Sequence, residues 1–310
     1  MNTDFPFQKI EHARITPGMS ADELINAMSG CGLGAGRIAD AVDTYEAMVD
    51  DGATKFFGLS GAMVPAGMRQ IVSDMIRNGY IDVLVTTGAN LVHDLIESLG
   101  GHHYKGSEKA DDIKLRDRQI NRIFDVFLPE EHFTVMEEHM LAVLEKMDRK
   151  FTIREFTAEI GKSIEDPNSI LRSAVDCDVP IFCPAISDSI IGLNAWLYKQ
   201  TQNLSVDVFD DLSDIIDICY NARKTGVIIL GGGVPKNFIL QSMLVSMKGG
   251  FDYFIQITTD RPDSGGLSGA TPDEAKSWTK VKEEAKAVTV YADATIALPL
   301  MMAALRERLE

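Results

Sequence analysis

The chain has 310 residues, of which 45% are hydrophobic and 25% are charged, which excludes a disordered or fibrous protein. Its net charge of −16 repels a phosphate backbone, so we exclude nucleic acid as a partner. No apolar run approaches the length of a membrane span and the N-terminus lacks the pattern of a signal peptide, so we predict a cytoplasmic protein without membrane contact. The four cysteines are dispersed, which indicates reduced thiols.

The first residues, 1–28, are predicted to form an N-terminal extension before a single domain over 29–310. Ser20 and Glu23 have the spacing of a capping box, which predicts a short helix, and a second helix is predicted over 37–49. The glycines of 30–36 resemble a dinucleotide fingerprint, but a helical pattern rather than a strand precedes them. We therefore interpret this segment as a flexible joint between helices.

Strand and helix patterns alternate in most of the remaining sequence. Strands are predicted at 55–59, 81–86, 179–183, 227–230, 252–257 and 288–291, and helices at 66–78, 91–99 and 206–224. This order predicts an α/β fold of the Rossmann-like, doubly wound type, with a mostly parallel sheet and helices on both faces. The middle, 112–175, is predicted to be helical, with breaks near Pro129 and at Gly161 and a charged helix over 130–149.

Small residues follow the predicted strands with unusual regularity. In a doubly wound sheet the ligand lies beyond the carboxyl ends of the strands, where glycine permits close approach of the backbone and hydroxyl groups donate hydrogen bonds. A single such turn is most often an ordinary connection, but five together favour a large nucleotide. The five segments are 60–62, 86–88, 187–189, 231–233 and 292–294.

A second informative segment, 262–280, joins a glycine-rich loop to Glu274, Trp278 and Lys280. A carboxylate and an indole face suit an alkylammonium ion, and a neutral lysine is a covalent nucleophile. A solvated surface loop followed by an amphipathic helix explains the same pattern equally well. The six histidines match no ligand spacing, so we predict no metal.

At these residues the sequence resembles the deoxyhypusine synthase family, from about Ser29 to the C-terminus. The most specific stretches are VLVTTGANLVHDLI (83–96), FCPAISDS (182–189), GVIILGGGVPK (226–236), SGATPDEAKSWTK (268–280) and VTVYADA (288–294). The resemblance implies a Rossmann-like domain in a homotetramer, with active sites between subunits.

The resemblance also implies a reaction and its residues. Bound NAD accepts a hydride from spermidine, a lysine captures the aminobutyl group as an imine, and a lysine of the hypusine-bearing translation factor then receives it. The nucleophile falls on Lys280, and the acid and indole that contact the polyamine fall on Glu274 and Trp278. The implied NAD contacts are Gly61, Ala62, Thr87, Gly88, Asp188, Gly232, Gly233, Thr259, Gly265, Ala292 and Asp293.

Four positions depart from the family pattern of the eukaryotic enzymes. Phe238 stands where they have a histidine, Leu193 and Leu267 stand where they have acids, and His93 replaces a glutamate. His93 is either a proton shuttle or a packed side chain, and the two leucines suggest a different polyamine. Two other functions therefore stay open: a homospermidine synthase-type transfer to putrescine, and a noncatalytic paralogue that binds NAD or a polyamine.

Overall fold

We describe a computed structural model, which covers residues 7–147 and 150–310 of the chain. Its strands are β1 (Thr54–Leu59), β2 (Val83–Thr86), β3 (Tyr104–Lys105), β4 (Ile120–Ile123), β5 (Val126–Pro129), β6 (Lys150–Thr152), β7 (Ile181–Phe182), β8 (Ser205–Asp207), β9 (Thr225–Leu230), β10 (Phe251–Thr258) and β11 (Val281–Tyr291). Its α-helices are α1 (Ala21–Met28), α2 (Leu33–Asp50), α3 (Arg69–Arg77), α4 (Gly88–Ser98), α5 (Asp112–Asp117), α6 (Glu131–Leu144), α7 (Ile153–Lys162), α8 (Ile170–Asp176), α9 (Ile190–Lys199), α10 (Asp210–Asn221), α11 (Gly233–Val245), α12 (Pro272–Ser277) and α13 (Ala294–Leu309).

The centre of the molecule is a six-stranded sheet in the order β11–β10–β9–β1–β2–β7, in which every neighbouring pair is parallel. Successive side chains of a strand point to opposite faces. Phe57 accordingly packs in one hydrophobic cluster and Phe56 in the other. The larger cluster includes side chains of α2, α4 and α13, and the smaller one includes side chains of α10 and α11. The predicted doubly wound fold is confirmed.

The predicted helical middle is wrong in part. Strands β3, β5 and β4 form a small antiparallel sheet there, and β6 and β8 form a separate parallel pair. The helix predicted over 130–149 is α6, which ends at Leu144, and residues 148–149 lie outside the described part. The break predicted at Gly161 coincides with the end of α7 at Lys162, and a Cβ at Gly161 would stand 2.6 Å from the carbonyl oxygen of Leu171.

Several boundaries differ from the predictions. The capping box of Ser20 and Glu23 is confirmed, but α2 begins at Leu33, so only the first half of the glycine-rich segment is a joint. The helix predicted over 66–78 begins with a π-helical turn at Val64–Met68, where Gly67 has a φ of +88°. The helix predicted from residue 206 begins at Asp210, and β11 begins at Val281 rather than at residue 288.

Candidate active site

A cavity of about 800 Å³ opens at the carboxyl ends of β1, β9, β10 and β11. Its floor is formed by the turns after these strands, and its wall by β3 and the turn between β4 and β5. The volume is in the range typical of ligand and cofactor clefts. Five of the residues predicted to contact NAD line it: Gly61, Ala62, Thr259, Ala292 and Asp293.

The other predicted NAD residues lie outside that lining, in loops or at the first residue of α4 or α11: Thr87, Gly88, Asp188, Gly232, Gly233 and Gly265. Two of them are glycines because another loop approaches closely. A Cβ at Gly88 would lie 2.4 Å from Cβ of Ser189, and a Cβ at Gly232 would lie 2.4 Å from Cα of Ser268. These glycines therefore let neighbouring segments pack together, and their contact with NAD stays a prediction.

The cavity residues fit a dinucleotide. Gly61 has a φ of +77°, a left-handed conformation that glycine adopts without strain, and a Cβ there would meet no atom within 4 Å. Asp293 caps the N-terminus of α13, and its carboxylate accepts hydrogen bonds from the backbone N–H and the hydroxyl of Thr295. Open backbone beside a helix N-terminus favours a phosphate. The aspartate provides an acceptor for a ribose hydroxyl.

Beside the cavity, Lys236 in the first turn of α11 is 1% exposed and donates three hydrogen bonds. Its Nζ lies 2.6 Å from the carbonyl oxygen of Ala270, 3.1 Å from that of Leu267 and 2.9 Å from Oε1 of Gln256. Gln256 also donates to the carbonyl oxygens of Gly231 and Ser268. The Lys236–Gln256 pair therefore ties the glycine-rich loop to the sheet and to the turn after β9.

Among the residues that the structure describes, Lys236 has no carboxylate partner, and burial lowers its pKa to about 8. The charge of Glu274 opposes this shift and that of Lys280 adds to it, which shows that the three groups share one electrostatic environment. The sequence analysis assigned no role to Lys236. A lysine in the first turn of a helix ordinarily faces solvent. The position of Lys236 directly after the glycine turn 231–233 is the only sequence signal that places it near the site.

The predicted catalytic segment forms α12 and the turn after it. Thr271 caps α12 by accepting a hydrogen bond from the N–H of Glu274, and Thr279 turns the chain with a φ of +54°. Nζ of Lys280 then lies 5.5 Å from the ring centroid of Trp278, a distance typical of a cation–π contact. Lys280 is half-buried, Glu274 is exposed and Trp278 is 61% exposed. The water-excluding cleft that imine chemistry requires is therefore not closed by this chain alone.

The three apolar departures have different surroundings. Phe238 packs at the edge of a core cluster, with its ring centroid 6.2 Å from that of Phe182. Leu193 lies on the exposed side of α9, next to Trp196 and Leu197. Leu267 supplies a carbonyl oxygen to Lys236 while its side chain is partly exposed. None of the three side chains has a group that transfers a proton or carries a charge.

His93 lies in the second turn of α4, where it is half-buried and hydrogen-bonded to a second histidine. Its Nδ1 lies 2.9 Å from Nε2 of His103, which lines the cavity. Burial and, to a smaller degree, the neighbouring His103 lower the pKa of His93 to about 4, so the imidazole is neutral at pH 7. Residue spacing in the sequence does not reveal this pairing, because His103 follows α4 and reaches His93 across a loop.

Across the described ranges, no group of three or more histidine, cysteine or acidic side chains is arranged to hold a metal ion. Over the same residues, no helix is both long and apolar enough to cross a bilayer.

Comparison with known proteins decides the family. The family model "Deoxyhypusine synthase" matches residues 23–305. The chain belongs to the deoxyhypusine synthase family. Among its deoxyhypusine synthase relatives, "Probable deoxyhypusine synthase 1" of Methanosarcina mazei is 57% identical over 302 residues, 97% of this chain and 95% of the relative. The protein of the same name from Archaeoglobus fulgidus is 49% identical, covering 97% and 98%.

A solved structure of a deoxyhypusine synthase relative shares the fold. The crystal structure of "a putative deoxyhypusine synthase" from Entamoeba histolytica superposes with a TM-score of 0.64 at 21% identity, covering 93% of each chain. At that identity the likeness supports the fold alone.

Proposed function

We propose that this member of the deoxyhypusine synthase family transfers an aminobutyl group from spermidine to a lysine of a translation factor, through an imine on Lys280. The observation that carries the proposal is the cluster of Lys280, Trp278, Glu274 and Lys236. Next to this cluster, at the turn after β9, lies a cavity that fits a dinucleotide. NAD bound there supplies a reversible acceptor for a hydride.

Each side chain of the cluster has a chemical task in this proposal. The indole face of Trp278 and the carboxylate of Glu274 attract the ammonium groups of the polyamine. Lys280 attacks the substrate carbon and must be neutral to do so. The carbonyl groups that Lys236 holds fix the loop on which Leu267 lies.

The surroundings of the site support two further parts of the proposal. Trp278 is exposed in one chain, so we propose that a second copy covers it in a homotetramer. The net charge of −16 attracts both a polyamine and a translation factor that presents a lysine on a basic loop. All four cysteines are free, which fits the reducing conditions of the cytoplasm.

The test is borohydride trapping of the imine after incubation with NAD, spermidine and the acceptor protein. We expect an aminobutyl adduct on Lys280 and its loss in Lys280→Arg, because a guanidinium does not form an imine. Lys276→Arg is the matched control, since Lys276 lies four residues earlier and pairs with Asp273. An unlabelled Lys280 in the wild type, with any polyamine tried, contradicts the proposal.

Product analysis then identifies the acceptor. The predicted replacement of two acids by Leu193 and Leu267 is the reason for testing a small diamine as the acceptor. A modified translation factor in the mass spectrum supports the proposed transfer. A free triamine formed from putrescine supports the homospermidine synthase-type reaction instead, and binding of NAD without either product supports a noncatalytic paralogue.

A further inference from the structure

Two buried polar side chains, Gln256 of β10 and Lys236 of α11, lie directly behind the floor of the cavity. They are 0% and 1% exposed, so neither side chain touches a ligand in the cavity. Gln256 directly precedes Ile257 and donates a hydrogen bond to the carbonyl oxygen of Gly231, and both of these neighbours line the cavity. The pair is therefore placed to act on the site from behind.

The amide of Gln256 has only one orientation that satisfies its neighbours. Its Nε2 lies 2.7 Å from the carbonyl oxygen of Gly231 and 2.8 Å from that of Ser268. Its Oε1 accepts a hydrogen bond from Nζ of Lys236 at 2.9 Å. Rotation of the amide by 180° would turn Oε1 towards two carbonyl oxygens and Nε2 towards an ammonium group. Neither a carboxylate nor an apolar side chain offers two donors and one acceptor, so this position is specific for glutamine.

The glycine-rich loop between β10 and α12 depends on this pair because little apolar packing holds it. Residues 259–267 are all exposed. Three of the four carbonyl groups of residues 267–270 accept hydrogen bonds from Lys236 or Gln256, at 2.6 to 3.1 Å. The base of the loop is closed, since a Cβ at Gly269 would lie 2.2 Å from the carbonyl oxygen of Arg261. The pair therefore determines where the loop lies relative to the sheet.

The same loop contacts the turn after β9 and continues into α12. Oγ of Ser268 accepts a hydrogen bond from the backbone N–H of Gly233 at 3.2 Å. Thr271 then caps α12, and the backbone N–H of Glu274 donates to its hydroxyl. The two side chains behind the floor therefore set the distance between the cofactor turn and the first turn of α12.

We propose that Gln256, together with Lys236, is a positioning residue for the transfer reaction, because it holds the glycine-rich loop and the first turn of α12 at a fixed distance from the cofactor cavity. This role rests on the proposed function. Hydride transfer requires that the two reacting carbon atoms lie about 3 to 3.5 Å apart, and a displacement of about 1 Å costs roughly 100-fold in rate. The five hydrogen bonds donated by the pair oppose such a displacement.

Hydrogen–deuterium exchange of the protein without ligands tests the structural part of this proposal. Gln256→Met keeps the length of the side chain but removes its two donors and its acceptor. In the wild type the backbone amides of Gly269 and Ala270 are hydrogen-bonded within the loop. We expect them to exchange about tenfold faster in Gln256→Met, while exchange in α3 stays unchanged. Exchange of the loop at the wild-type rate overturns the proposal.

Lys55→Met is the matched control, because it also removes a buried polar side chain but lies at the opposite, amino end of the sheet. Nζ of Lys55 donates to the carbonyl oxygen of Ala53 at 3.1 Å and pairs with Asp82 at 2.7 Å. We expect a lower free energy of unfolding, with no change in exchange of the loop or in the rate of transfer. Equally fast exchange of the loop in Lys55→Met would indicate a general loss of stability and would overturn the assignment to Gln256.

The rate of NADH formation from NAD at saturating spermidine tests the functional part. We expect Gln256→Met to lower this rate by about 10- to 100-fold. The half-saturating concentration of spermidine and the Kd of NAD should stay within about threefold, because Gln256 is buried and touches neither ligand. Gln256→Glu is the second variant if Gln256→Met does not fold. The new carboxylate still accepts from Lys236 but turns an oxygen towards the carbonyl groups of Gly231 and Ser268, so we expect a similar loss of rate.

The outcomes separate this proposal from the function on which it rests. A wild type that forms no NADH contradicts the proposed function, whereas exchange of the loop is measured without turnover. Wild-type rates in both Gln256 variants overturn the positioning role, even when the loop exchanges faster. A loss that appears only as weaker binding of NAD or spermidine overturns it as well, because that result indicates damage to the binding surfaces rather than to their relative position.

Discussion

Lys236 shows how one buried side chain controls several loops of the site. Its ammonium group is out of contact with water and donates instead to three uncharged acceptors. Two of these are backbone carbonyl groups of the glycine-rich loop. A lysine buried without a carboxylate is costly to ionise, and its lowered pKa is the expression of that cost. Lysine is used here despite this cost because no uncharged side chain of similar length donates three hydrogen bonds.

We expect Lys236→Met to lower the free energy of unfolding by about 2 kcal/mol at pH 7, since methionine removes the three hydrogen bonds that Lys236 donates. The wild type should also gain stability between pH 8 and 10.5, because there the unfolded chain binds a proton that the folded chain has released. Lys236→Met should lack the rise in the free energy of unfolding that Lys236 contributes between pH 8 and 10.5. Urea unfolding of both proteins across this range measures both effects.

The matched control is Lys282→Met, which removes a lysine that is paired with Asp252 near the surface. We expect it to change the free energy of unfolding by less than about 1 kcal/mol. Equal pH dependence of Lys236→Met and the wild type would show that Lys236 keeps its proton throughout, contrary to the lowered pKa.

At the scale of elements, the sequence predicts the central sheet well because its strands are continuous apolar runs. β9 is buried along its whole length, and its pattern leaves no alternative to a strand enclosed between helix layers. The small-residue turns that follow the strands are predictable for the same reason, because each begins where an apolar run ends. What the sequence lacked was the position of each loop relative to the others, which depends on packing between distant segments such as Gly232 and Ser268.

The β4–β5 hairpin was missed for an identifiable reason. Its two-residue turn, Phe124–Asp125, contains no glycine or asparagine, although Phe124 has a φ of +54°. A bulky residue in this conformation is strained, and such strain is most often found where function requires it. Phe124 lines the cavity, so the strained turn places this residue on the cavity wall.

We expect Phe124→Asn to weaken the binding of NAD by about fivefold, the effect of losing roughly 1 kcal/mol of apolar contact. Asparagine tolerates the left-handed conformation, so the free energy of unfolding should be unchanged or slightly higher. Titration calorimetry measures the affinity and urea unfolding the stability. Phe209→Asn, a change at an exposed phenylalanine that does not line the cavity, is the control and should alter neither.

At the scale of the whole molecule, two features of the surface have opposite effects on assembly. Leu193, Trp196 and Leu197 share one face of α9 and are each about half exposed, which forms an apolar stripe directly after the site loop 187–189. A net charge of −16 on each copy opposes association. A stable oligomer therefore requires that burial of apolar surface outweigh the repulsion between like charges.

We expect sedimentation velocity to show a tetramer that dissociates on dilution less readily at 500 mM than at 50 mM salt, because salt screens the repulsion between acidic copies. Trp196→Glu should reduce the assembly to smaller species at equal concentration, since it places a charge within the apolar stripe. The free energy of unfolding of the dissociated chain should change little, because Trp196 is exposed in a single copy. Tyr220→Glu, at another exposed aromatic side chain on α10, is the matched control. A tetramer that persists unchanged in Trp196→Glu would show that the apolar stripe of α9 does not lie between subunits.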